Sequence, residues 1–190
     1  SKFVKQLEKE FIGGQPQKAM PLFLADLPNT RLAWEWAVEN RDASVFNDMS
    51  DSIMQGFDLA GLYNEAYQMA KAASESLGSL PKSTKKEIII AKGRVMGLAG
   101  AFLFRLGEYG QAMEKCEASM QALEKYRPHI AYAHTLVYAG AAQFGLGDMN
   151  AAIQFWEKAI QEYHAAGSLW GETTSRNNLA ADQSCGGLTS

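Results

Sequence analysis

Gly107-Glu108-Tyr109-Gly110-Gln111-Ala112 recurs forty residues on as Gly147-Asp148-Met149-Asn150-Ala151-Ala152, and a looser copy, Gly61-Leu62-Tyr63-Asn64-Glu65-Ala66, precedes both. Each copy opens on a glycine, suited to a sharp turn, and reaches an alanine five residues later, where two backbones can approach closely. Seven residues before the first two glycines stand Gly100 and Gly140. Four residues after the alanines come Cys116, Trp156 and Ala70, and three further on Ser119, Ala159 and Ala73. This spacing predicts helix pairs joined by short turns. The first helix needs a small residue where the second crosses it. The second offers Ala at the crossing and then a larger residue to fill the gap between pairs.

The apolar period around these turns is helical. Ala112, Met113, Cys116, Met120 and Leu123 form one stripe, and Ala152, Ile153, Trp156, Ala159, Ile160 and Tyr163 form another. Both follow i, i+3, i+4, i+7 spacing over about four turns, which marks a helix with one buried face. The longest β-like run, Ile88-Ile89-Ile90, lies inside a helical pattern. The chain is therefore expected to be all-α. Gly13-Gly14-Gln15-Pro16 should end a short helix near residues 2–12. Gly78 to Ser83 reads as a loop with Ser83 or Thr84 able to cap the next helix, and Arg127-Pro128 and Gly167-Ser168 as further breaks. The expected organisation is an N-terminal helical segment over 1–42 and a repeat region over 43–190. Repeats fall at about 47–77, 93–126 and 133–166, with a partial one over 173–190 whose first helix is Thr173–Gln183.

Composition narrows the class. At 190 residues, 47% hydrophobic and 21% charged, the chain can bury a real core, so disorder is excluded as the main state. Eighteen basic against 21 acidic residues, a formal charge of −3, argues against a nucleic-acid-binding domain. Cys116 and Cys185 cannot build a disulfide framework, and no run of 18 apolar residues suggests a membrane span. The opening residues do not read as a signal peptide, so the expected setting is the cytoplasm.

The turn glycines lie 46 and 40 residues apart (61 to 107 to 147). With the small, Gly, aromatic and Ala residues at these intervals, the chain resembles the tetratricopeptide repeat (TPR), in a variant longer than the usual period of about 34 residues. HEAT-like repeats share the longer period but leave the Gly-x-Tyr-x-x-Ala turns unexplained. The resemblance implies a right-handed superhelix of antiparallel helix pairs. Upstream, Leu27-Pro28-Asn29-Thr30-Arg31-Leu32-Ala33-Trp34-Glu35-Trp36-Ala37-Val38-Glu39-Asn40-Arg41-Asp42 resembles a stretch of bacterial STAND-type signalling ATPases and maltose-regulator-like transcription activators, although Pro28 replaces an acidic residue of that pattern. There, a long-period repeat array follows a nucleotide-binding domain. The resemblance implies a fragment of a multidomain regulator whose ATPase lies outside this chain, since no Gly-x-x-x-x-Gly-Lys-Ser/Thr run is present.

No constellation announces chemistry. His129 and His134 are five residues apart and fit no zinc motif, and His164 sits near a helix end, where histidine is favoured. Cys116 belongs to a buried stripe and reads as a small hydrophobe. Gly93, Gly97 and Gly100 read as close helix packing, and Lys82, Lys85 and Lys86 as a solvated face. Trp34 and Trp36, two apart, cannot share a core; one should pack on the first repeat. The expectation is a non-enzyme with no catalytic residue, cofactor or metal.

In stacked helix pairs the first helix of each pair lines the inner, concave surface. Counting from repeat starts at 93, 133 and 173 places Arg94, Ala101, Phe104 and Arg105, then His134, Val137, Ala141 and Phe144, then Thr174, Asn177 and Asn178 on that surface. Asp48, Asp51, Gln55 and Asp58 occupy the corresponding line upstream. The partner-binding groove is expected at Arg94, Phe104, Arg105, His134, Val137, Phe144, Asn177 and Asn178. Its two arginines point to an acidic ligand, unless carboxylates such as Glu108 neutralise them. The function expected is protein or peptide interaction, without direct nucleic-acid or membrane contact. Small-molecule sensing and a structural spacer or oligomerisation array are the alternatives.

Overall fold

A computed structural model describes residues 16–78, 81 and 84–169, together with 171–173, 175, 176 and 179. The expected helix near 2–12, Cys185, and most of Thr173–Gln183 lie outside the described residues. Seven α-helices are described: α1 Pro16–Asn40, α2 Ala43–Ala60, α3 Tyr63–Leu77, α4 Lys86–Arg105, α5 Tyr109–Leu123, α6 Ile130–Gly145 and α7 Met149–Ala165. A 3₁₀ turn, Glu124–Tyr126, extends α5. No strand is present among the described residues. The chain is all-α, with its helices packed on one another.

The repeated turns share one geometry. Gly61, Gly107 and Gly147 all adopt the left-handed conformation, with φ of 69°, 80° and 89°. The following residue donates its backbone N–H back to the preceding helix: Leu62 to Phe57 O, Glu108 to Leu103 O and Asp148 to Gln143 O, at 3.0, 2.9 and 2.9 Å. This is the glycine-terminated helix end that satisfies carbonyls otherwise left orphaned. The next helix begins within two residues; α4 then packs along α5 and α6 along α7, whereas α2 and α3 touch little and α3 packs on α4 instead. Arg41 makes the same turn before α2 with φ 53°, without glycine. Asp42 then caps α2 through its carboxylate, accepting from the Ser44 N–H at 2.9 Å. The loop before α4 differs from expectation. Lys85 holds the cap position without a side-chain bond, while the Thr84 hydroxyl donates to Pro81 O at 2.6 Å. Helix α4 also starts at Lys86, earlier than the repeat boundary at 93, because Ile88 to Ile90 continue the helix.

Helix α2 packs on α4 and α4 on α6, while α3 and α5 pack behind and between them. All nine small or filling positions read from the turn spacing are buried: Ala66, Ala70, Ala73, Ala112, Cys116, Ser119, Ala152, Trp156 and Ala159. The close crossings are real. A Cβ built on Gly100 would lie 2.7 Å from Cys116 Sγ, and one on Gly140 2.5 Å from Trp156 Nε1. Gly93 and Gly97 are as tight, against Leu123 and Thr135. A polar bridge ties this crossing, with Ser119 Oγ donating to Gly93 O at 2.7 Å and lying 2.9 Å from Thr135 Oγ1.

Helix α1 shares a buried cluster with the helices that follow it. Phe23, Leu27, Trp34 and Ala37 pack with Phe46, Ile53 and Phe57 of α2 and the alanine stripe of α3. Trp34 is 1% exposed and donates from Nε1 to Met69 O at 2.8 Å, whereas Trp36 is 52% exposed. Arg31 binds Glu65 of α3 through Nε and Nη2 at 2.5 and 2.8 Å. At the other end, buried Glu162 accepts from Arg127 Nε and from the His129 N–H, both at 3.0 Å, and so fixes the start of α6.

Candidate functional site

Helices α2, α4 and α6, with Trp156 and Tyr163 of α7 and the chain at Gly171 and Ser175, line a concave pocket of about 470 Å³. Its apolar wall is Met54, Leu98, Ala101, Phe104, Val137, Ala141 and Trp156. Its polar side chains are Ser50, Asp51, Gln55, Arg94, Arg105, His134, Thr135, Tyr138, Tyr163 and Ser175. The helical period explains the set. Asp51 and Gln55 are one turn apart on α2, as are Arg94 and Leu98 on α4 and His134 and Tyr138 on α6. The volume lies within the range of about 300–1,000 Å³ usual for small-ligand pockets.

Both arginines are neutralised within the fold. Arg94 Nη2 donates to Asp51 Oδ2 at 2.6 Å, and Arg105 donates through Nε and Nη2 to the two oxygens of Asp58 at 2.7 and 2.8 Å. The carboxylates come from α2; Glu108, the neighbour expected for this role, instead accepts from Gln111 at 3.0 Å. His134 Nδ1 lies 3.5 Å from Asp51 Oδ1, and its ring meets the Tyr163 ring edge-on at 5.6 Å. Burial disfavours the Asp51 anion, yet His134 and the Arg94 guanidinium outweigh it and hold the carboxyl well below the usual carboxylate range. Burial pushes the Tyr138 and Tyr163 phenols well above theirs, so both stand in the pocket as neutral hydroxyls. Gln55 is unfinished: its carbonyl oxygen is shielded from solvent and meets no donor among the described residues, a state that costs about 1–3 kcal/mol.

The Asp51 environment sets a pH dependence. A carboxyl depressed in the folded state stabilises fully above its unfolded value of about 3.9 and loses that contribution as pH falls below it. Asp51→Asn should therefore be less stable than the parent at pH 7, by about 1 kcal/mol given that a third of the side chain faces solvent. The gap should shrink in strong acid. Urea unfolding at neutral pH and near pH 3 checks this; a gap constant with pH would contradict it.

Of the residues placed on the inner surface from spacing, Arg94, Phe104, Arg105, His134 and Val137 line the pocket together with Ala101, Ala141, Asp51 and Gln55. Phe144 does not. It is 47% exposed and leans on Trp156, ring centroids 6.3 Å apart, because the pocket closes at Ala141 and Trp156, one turn short of it. Asn177 and Asn178 lie outside the described residues, as does Thr174. Spacing missed Tyr138 and Trp156. Tyr138 is one turn beyond His134 on the same face and was within reach of the counting, whereas Trp156 reaches through from the second helix of its pair. Cys116 is buried and its thiol pushed up to about 12, chiefly by that burial with the Glu117 charge adding to it, so it stays protonated. No described helix is long and apolar enough to cross a membrane. No protein-family model matches the chain, and no curated protein matches it significantly.

Proposed function

We propose that this chain is a non-catalytic binding module of TPR-like helical-repeat build, and that the pocket between α2, α4 and α6 is its binding surface. The right-handed superhelix, and a place within a bacterial signalling or transcription regulator, belong to this proposal. The superhelix is supported by the shared turn at Gly61, Gly107 and Gly147 and the buried crossing positions behind it, and the place in a regulator by the resemblance of the stretch over residues 27–42. The occupant best supported is a small molecule sensed by the module. The observation that carries this is the pocket of about 470 Å³, in which polar groups from α2, α4, α6 and α7, with Ser175 beyond them, converge on an apolar wall. Ligand capture would then favour one arrangement of the parent protein over another. The second reading, capture of a protein or peptide segment, is favoured by Phe144, which extends an exposed aromatic surface past the pocket mouth. An acidic ligand has less support, since it would have to displace Asp51 or Asp58 from its guanidinium.

A thermal-shift screen of small metabolites tests the small-ligand reading. A ligand specific to the folded state raises the melting temperature with concentration, by about 2.7 kcal/mol of stabilisation at a hundredfold excess over Kd. At least one compound should behave so. A screen in which only peptides do so would move the conclusion to the second reading.

A further inference from the structure

The pocket's charges and the unsatisfied Gln55 carbonyl define what can enter it. Arg94 is held by Asp51 at 2.6 Å, and Arg105 by both oxygens of Asp58. An anion entering the pocket finds no unpaired guanidinium, and a cation finds no unpaired carboxylate, because the two pairs cancel. Gln55, by contrast, is a cavity-lining residue whose carbonyl oxygen is shielded from solvent and meets no donor among the described residues. One turn of its side-chain torsion would offer that oxygen to an incoming N–H or O–H. The same cavity is lined by Leu98, Phe104, Val137 and Trp156, a wall suited to an aromatic or branched aliphatic body.

We propose that the pocket's ligand is an uncharged small molecule with an apolar body and at least one N–H or O–H donor, bonded to Gln55. This rests on the reading of the pocket as a small-ligand site and names the chemical class it selects. The ion pairs then act as fixed struts: each lashes α2 to α4 and penalises any charged competitor that must break it to bind. Neutral ligands leave both intact.

Three probes of one shape separate the classes: N-acetyltryptophanamide, which is neutral, N-acetyltryptophan, an anion, and tryptophanamide, a cation. Each is titrated into the full ¹⁵N-labelled chain at low and high salt, beside a capped pentapeptide with tryptophan at its centre. The neutral amide should bind about tenfold tighter than either charged probe, the scale of one badly matched polar group, and with little salt dependence. Gln55→Met, which keeps side-chain length, should weaken the amide about fivefold while leaving the melting temperature at or above the parent's, since it removes the unsatisfied carbonyl. Several results overturn the proposal. A charged probe binding in the pocket as tightly as the amide, or no loss with Gln55→Met, removes the uncharged class but leaves the small-ligand reading. Tighter binding of the pentapeptide, with shifts reaching Phe144, replaces both with a peptide site. No probe shifting residues of α2, α4 and α6 at millimolar concentration removes the pocket itself.

Discussion

Gly140→Leu is expected to unfold the α6–α7 pair, costing about 3 kcal/mol or more. Even the first added carbon would lie 2.5 Å from Trp156 Nε1 and 3.0 Å from Cε2. Trp156 cannot step aside cheaply: it is 7% exposed, and its Nε1 donates to Val137 O at 3.1 Å. Ala152→Leu, at a fully buried position on the facing helix, should act in the same direction. Gly110→Ala is the control. That glycine is helical with nothing within 4 Å of an added Cβ, so alanine should stabilise by about 0.5–1 kcal/mol. Circular-dichroism melts compare all three. Gly140→Leu as stable as the parent would mean the helix crossing is misplaced.

Trp34→Ala is the second large effect, about 3–5 kcal/mol for emptying a fully buried tryptophan site. The ring sits 5.0 Å from that of Phe46, and its loss also strips Met69 O of a hydrogen bond. Trp36→Ala, two residues away on the half-exposed side, should stay within about 0.5 kcal/mol. Chemical denaturation separates the two readily. Equal losses would show that α1 is not docked on α2 and α3 through the Trp34 face.

What was legible in the sequence follows the range of each interaction. The turns at Gly107 and Gly147 are local: a glycine, a returning N–H and an alanine crossing all lie within a dozen residues, so spacing alone located them. The inner line Arg94, Ala101, Phe104 and His134, Val137, Ala141 was likewise readable from helical period once the turns set the register. The partners of the two arginines were not. Asp51 and Asp58 are 43 and 47 residues from them, and the pairing depends on how α2 slides against α4, which no local pattern encodes. That one feature changes the chemistry of the groove, from a cationic grip to a balanced, largely apolar pocket. Phe144 falls outside the pocket for a related reason. Its register matches Phe104, but Phe104 has the neighbouring α6 to wall its rung, while the cavity ends before Phe144.

The claim that the inner pocket is where this chain binds is tested most directly by filling it. Ala141 is only partly buried and faces the cavity, so Ala141→Trp should occupy that space without disturbing the core. Affinity for a compound found by thermal shift, measured by calorimetry on the parent and on Ala141→Trp at matched melting temperature, decides it. The pocket account predicts a loss of about tenfold or more, with the parent's chemical-shift changes falling on α2, α4 and α6. Equal affinity for the two proteins, or changes confined to α3 and α5, would contradict it.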